Sequence, residues 1–183
     1  MINNEHTKFF YTNCAGLLNK IPELHTISVT YNCKVLCITE THLHPGIFNA
    51  EVSIPNYQIF RKDRNSGSDG GGSIIYVHNS VSAVCVESFN APDSLAVQIN
   101  FDSCPVIFCC VYRSMNLTNS QDDEIMNQIR SLALVDDQEL ILVGDFNLPD
   151  VCWDSGRVNS PKDTINQKLL LQKAYLDLSM KQT

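Results

Sequence analysis

The apolar positions of this chain fall into two rhythms. Short runs with strand character alternate with a few segments of helical spacing. Lys8 to Asn13 is an aromatic-rich strand, and Val35 to Ile38, Tyr57 to Phe60 and Ser73 to Val77 are short apolar runs of the same kind. Val81 to Val86 is a further strand. In Leu95 to Phe101 the apolar residues Leu95, Val97, Ile99 and Phe101 alternate with Ala96, Gln98 and Asn100, as on a half-buried strand. Val106 to Val111 is continuously apolar, as expected of a central strand covered on both faces, and so is Leu140 to Val143. Helical spacing appears in three places. Ile21, Leu24 and Ile27 follow Asn19 as a candidate cap, with Pro22 tolerated in the first turn. Ile125, Met126, Ile129, Leu132 and Ala133 follow a Ser120/Asp123 capping pair. A last helix starts at Ser160 and Pro161 and carries Ile165, Leu171, Ala174, Tyr175 and Leu178.

Strands outnumber helices, and hairpins sit between the helical crossovers. This order predicts an α/β fold of four layers, two mixed β-sheets packed together with helices outside, rather than a regularly alternating doubly wound sheet. Breaks fall at Pro45–Gly46, at the glycine-rich stretch from Gly67 to Gly72, and at Asp102, Ser103 and Pro105.

Composition narrows the class. The chain has 183 residues, 44% of them hydrophobic, which suits a single domain, residues 1–183, with a substantial core. A net charge of −7 argues against a nonspecific cationic nucleic-acid binder. It leaves room for an enzyme that holds phosphate locally through a divalent cation. None of the eight cysteines forms a C-x-x-C pair, so a zinc ribbon is not expected. Several lie inside apolar runs and read as small buried hydrophobes. The polar start of the chain and the absence of any bilayer-length apolar run lead to the expectation of an intracellular protein, nuclear or cytoplasmic, with no membrane partner.

Chemistry collects where strands stop. Leu140 to Val143 ends at Gly144, and Asp145 and Asn147 follow with one residue between them. If the chain stays extended, the two point the same way and Phe146 points back. The same residues also favour an Asp/Asn turn, so this stretch alone supports either a turn or a phosphate or metal site. Asn13, Glu40 and Tyr112 occupy equivalent places at the ends of other strands. Five such residues on one rim suit phosphodiester cleavage. Glu40 and Asp145 are hard oxygen ligands of the kind Mg²⁺ accepts. Asn147, Asn13 and Tyr112 can donate hydrogen bonds to phosphate oxygens as charge develops, and Asp145 can orient or deprotonate water. His42 and His44 read as loop residues.

The motifs T-N-C-A-G-L, I-T-E-T-H-L, G-G-G-S-I-I-Y-V, V-Y-R-S and G-D-F-N-L-P-D-V-C-W, in that order, resemble the endonuclease/exonuclease/phosphatase superfamily. The resemblance is closest to the apurinic-type endonuclease domain of non-LTR retrotransposons of the Jockey and chicken-repeat groups. It runs from Phe9 to about Ser179. It implies a four-layer α/β sandwich, a Mg²⁺ cofactor (with Mn²⁺ as an alternative ion), DNA as substrate, and a reverse-transcriptase domain on the same polypeptide in a full-length element. On this resemblance Asn13, Tyr112, Asp145 and Asn147 are catalytic, and Glu40, Asp145 and Asn13 are the metal ligands. The family pattern continues with further strands and a late Asp-His pair. The five histidines here lie at 6, 25, 42, 44 and 78, all upstream of that place. The resemblance therefore implies a domain incomplete at its C-terminus, its last strands missing, with weak or no activity as this chain. Ala15, where some relatives carry an acidic or amide group, points to weaker metal binding. The competing readings are a non-catalytic remnant or interaction module of the same fold, and a superfamily phosphatase.

Overall fold

The computed structural model describes residues 7–64, 70–101, 104–135, 138–152, 155, 157 and 158. Two four-stranded sheets dominate. The first contains β1 (Lys8–Asn13), β2 (Cys33–Thr39), β3 (Tyr57–Lys62) and β4 (Ser73–His78) in the order β1-β2-β4-β3. The second contains β5 (Ser82–Cys85), β6 (Leu95–Phe101), β7 (Cys104–Tyr112) and β8 (Glu139–Asp145) in sequence order. Both sheets are mixed. β1 pairs parallel with β2, and β7 pairs parallel with β8, while the remaining pairs are antiparallel.

Each parallel pair needs a crossover, and a helix supplies it. α1 (Ile21–Tyr31) joins β1 to β2, and α2 (Asn119–Ala133) joins β7 to β8. α1 packs outside the first sheet, where Leu17, Leu24, Leu36, Ile38, Ile74 and Tyr76 form one apolar cluster. α2 packs outside the second through Ile125, Met126, Ile129 and Leu132, against Ile107, Cys109, Val111 and Leu142. Burial of such side chains contributes about 1.5–3 kcal/mol each. The third cluster lies between the sheets and includes Val35, Cys37, Ile75 and Val77 from one and Val97, Ile99, Phe108 and Cys110 from the other. Helix, sheet, sheet and helix are the four expected layers. The two-residue strands β9 (Val151–Cys152) and β10 (Arg157–Val158) form a small separate ribbon.

The cysteines behave as small core residues. Cys14, Cys33, Cys37, Cys109 and Cys110 are buried free thiols, and Cys85 is exposed. Both helix starts differ from expectation. Asn19 lies inside a 3₁₀ turn, Leu18–Lys20, that feeds directly into α1. In α2 the cap is Thr118. Its hydroxyl accepts from the Gln121 amide at 3.4 Å, and Gln121 Oε1 accepts from the Thr118 amide at 2.9 Å. Gln is long enough to reach back across the first turn, as a capping box requires, and Asp123 is one methylene shorter. The expected last helix from Ser160, the Asp102/Ser103 turn and the first part of the glycine-rich loop lie outside the described residues.

Candidate active site

The parallel pairs set the position of the site. β1 and β2 run together, so Asn13 lies opposite Thr39, the residue before Glu40. β7 and β8 run together, so Tyr112 lies opposite Asp145. The sheets stack with β2 over β7 and β8, and β1 over β8. All five residues expected from the sequence therefore meet at one rim of the sandwich.

They meet as two groups. Tyr112 Oη donates to Glu40 Oε1 at 2.6 Å. Asn13 Nδ2 donates to Asp145 Oδ2 at 2.9 Å, and the Asn147 backbone amide donates to Asp145 Oδ1 at 3.0 Å. Asn13 Oδ1 in turn accepts from the Ala15 amide at 3.2 Å, and Asn147 Nδ2 donates to the Arg113 carbonyl at 2.7 Å. The chain does not stay extended beyond Asp145. Asn147 has φ +47°, and its amide closes an Asx turn on Asp145. Phe146 does point back and is buried in the α2-side core. The turn and the site thus turn out to be one feature: the turn is how Asp145 and Asn147 come to share the rim.

Local backbone conformation explains how the side chains reach it. Gly144 has φ +151°, and a Cβ there would sit 1.9 Å from the Val111 carbonyl oxygen, so only glycine allows β8 to lie against β7 just before Asp145. Glu40 and His42 both have left-handed backbone, with φ +54° and +55°. The loop holding them is fixed from both sides. The Gly16 and Leu17 amides donate to the Glu40 and Thr41 carbonyls, and the Thr41 and His42 amides donate to Gly72 and Gly71.

The electrostatics favour a neutral phenol. Burial, then the Glu40 hydrogen bond, push Tyr112 up to about 12, against the opposing Arg64 guanidinium 5.7 Å from the ring centroid. Tyr112 is therefore a hydrogen-bond donor at neutral pH. Burial also pushes the Cys14 thiol up to about 11, which leaves it a poor nucleophile.

Several rim residues carried no expectation from sequence. Arg64 is ion-paired with Asp93 across the two sheets. Ser94 Oγ accepts from the Tyr112 amide at 3.1 Å. Arg113 pairs with Asp122. One sequence signal did exist. Asp122 precedes Ile125, Met126 and Ile129 by three, four and seven positions, so it sits on the apolar face where a hydrophobe is expected. His42 lies beside Glu40, its Nε2 4.0 Å from Glu40 Oε2. His44 does loop work: its ring accepts from the Gly46 amide and its carbonyl accepts from Arg61.

The donor set fits a magnesium-like ion better than a zinc-like one. Two carboxylates and a side-chain amide oxygen are hard donors. Mg²⁺ is typically held by one or two carboxylates plus water and substrate oxygens. Among the described residues no group of three or more His, Cys, Asp or Glu side chains is placed to hold a metal ion.

Two stacked mixed sheets flanked by helices, with carboxylates and amides at the ends of their parallel strands, make a four-layer α/β sandwich. The chain belongs to the endonuclease/exonuclease/phosphatase family, whose model matches residues 12–171. It is 24% identical over 144 residues to the RNA-directed DNA polymerase of the mobile element jockey from Drosophila funebris. That match takes in 78% of this chain and 15% of the length of the curated relative. Among solved structures, the fold resembles AP endonuclease LMAP from Leishmania major, with a TM-score of 0.69, 15% identity, and coverage of 97% of this chain and 71% of the other. It also resembles the endonuclease domain of TRAS1, a telomere-specific non-LTR retrotransposon, with a TM-score of 0.65, 14% identity, and coverage of 91% and 70%. Among the described residues, no helix is long and apolar enough to cross a membrane.

Proposed function

We propose that this chain is a divalent-metal-dependent DNA endonuclease domain of a retrotransposon, which hydrolyses phosphodiester bonds to nick target DNA. The convergence of Asn13, Glu40, Tyr112, Asp145 and Asn147 on one rim carries this reading. Membership in the family and the likeness to the jockey polymerase support the choice of DNA over a small phosphate ester. A reverse-transcriptase domain on the same polypeptide is the partner this reading implies.

Glu40 and Asp145, with Asn13, would hold the ion, Mg²⁺ or Mn²⁺. When bound, it supplies neutralising charge at the phosphate and at the leaving oxygen. Asp145 accepts a hydrogen bond on each oxygen in this structure. That arrangement fixes its carboxylate so that it can orient a water and take its proton. Asn13 and Tyr112 now donate to carboxylates, and the same N–H and O–H groups can turn to phosphate oxygens as negative charge accumulates. Asn147 is held at the edge of the turn and adds a further donor.

A supercoiled-plasmid assay tests the proposal. The expected result is Mg²⁺-dependent conversion to open circles, lost in Asp145→Ala and Glu40→Gln. NMR titration with Mg²⁺ should shift Glu40 and Asp145 saturably. Robust nicking unchanged in Asp145→Ala would overturn the assignment of the site. Folded protein with no Mg²⁺ shifts would identify a non-catalytic module. Preference for a small phosphate monoester over DNA would identify a phosphatase.

A further inference from the structure

Asp145 and Asn147 work as a pair only if the turn between them has one shape. Asn147 adopts a left-handed conformation, which asparagine tolerates but which its own backbone does not fix. One neighbouring residue, Arg113, grips the whole turn. Its backbone amide donates to the Asp145 carbonyl at 2.9 Å. Its carbonyl accepts from Asn147 Nδ2 at 2.7 Å. Its guanidinium Nη1 donates to the Asn147 carbonyl at 3.2 Å and to the Phe146 carbonyl at 3.4 Å.

The guanidinium is itself locked. Nε and Nη2 donate to the two oxygens of Asp122 at 2.7 and 2.8 Å, a bidentate fork. Asp122 is 2% exposed and stands on the face of α2 that otherwise carries apolar side chains. A buried ion pair in such a place adds little net stability compared with well-packed hydrophobes of similar volume. Its position is better explained by what it holds. The free side of the fork is aimed at the carbonyls of Phe146 and Asn147.

We propose that Arg113, locked by Asp122, is a positioning residue that sets the Asp145–Asn147 turn for metal binding and phosphodiester cleavage. The inference rests on the reading that this turn carries the chemistry. α2 thereby acts on the site from outside the two sheets, through Asp122 and Arg113.

The test uses Arg113→Lys and Asp122→Asn in the whole chain. Lysine keeps the charge but cannot fork Asp122 and reach both carbonyls at once. In amide-resolved NMR spectra, the Asp145 and Asn147 backbone signals and the Asn147 side-chain NH₂ should shift and broaden, while Val35 and Ile75 in the inter-sheet core stay in place. The Mn²⁺ concentration that half-broadens Asp145 should rise roughly 10-fold, the scale seen when outer partners of metal ligands are removed. On plasmid DNA the loss should fall on kcat per folded molecule and spare KM. Folded variants with unchanged turn signals and unchanged Mn²⁺ affinity would overturn the proposal. So would failure of both variants to fold, which would make the pair a folding element. If the wild-type chain binds no Mn²⁺ at Asp145 and nicks no DNA, the nuclease reading fails, while the turn signals still decide whether Arg113 positions the turn.

Discussion

The two carboxylates of the rim are held in opposite ways. Glu40 comes from the first sheet, sits in a left-handed loop position, and takes its hydrogen bond from Tyr112 of the second. Asp145 comes from the second sheet, ends a regular strand, and takes its hydrogen bond from Asn13 of the first. Each acid thus depends on a donor across the sandwich. Glu40 is fixed mainly by loop-to-loop backbone bonds, whereas Asp145 is fixed by a glycine contact before it and an arginine-gripped turn after it. The Glu40 corner is held by backbone bonds between loops, and the Asp145 corner by backbone and side chains together.

Breaking the Asp145 corner at its backbone should have the largest effect. Gly144→Ala forces a Cβ against the Val111 carbonyl. It should cost about 3 kcal/mol or more, the range of severe core clashes, measured by denaturant melts. Next come the two cross-sheet donors. Asn13→Ala and Tyr112→Phe should each slow nicking by roughly 10²–10³ relative to wild type, the scale for loss of one preorganised donor. The double variant sharpens the comparison. If both corners serve one transition state, its rate loss should be smaller than the product of the single losses. A fully multiplicative loss would show that they act independently.

A third prediction concerns pH. The Tyr112 phenol is raised from 10.0 to about 12 by burial and by Glu40. The folded state therefore holds this proton more tightly than the unfolded chain does. Its contribution to stability is complete below pH 10 and is lost as pH rises toward 12. Burial also raises Tyr11, Tyr57 and Tyr76, so the test is a difference: Tyr112→Phe should remove one tyrosine near 12 from the wild-type tyrosinate titration. The smallest expected effect lies beside Asn13. Ala15 is exposed and has φ +44°, so Ala15→Gly should relieve backbone strain and stabilise the fold by up to about 1 kcal/mol, visible as a small rise in melting midpoint.

Much of this arrangement was legible from the sequence, and the reason is physical. β1 and β6 match their expected spans, Lys8–Asn13 and Leu95–Phe101, and in β6 burial of Leu95, Val97 and Ile99 enforces the apolar rhythm. The five rim residues could be found because they follow apolar runs, and strand ends are where a rigid scaffold presents polar groups. The shape of the turn at Asn147 was less legible, because alternation describes extended chain and cannot signal a left-handed residue. Arg64 with Asp93, and Arg113 with Asp122, were missed for a related reason. Each pair joins residues distant in sequence, 29 and 9 positions apart, and the partners meet only once the layers stack. Ser120 and Asp123 have the spacing of a capping box, but the cap is Thr118 with Gln121, whose side chain is one methylene longer than that of aspartate.

The crosswise dependence of the two carboxylates has a consequence for how the molecule can be divided. Every strand of the first sheet precedes residue 79, and every strand of the second follows residue 81. A cut in that single turn yields two fragments, each with a complete sheet and one described helix, and each with one acid and the other's donor. Neither fragment holds a finished corner. If the rim holds the proposed ion, metal affinity would report reassembly directly, which makes this domain a candidate for a split reporter whose signal is the site itself.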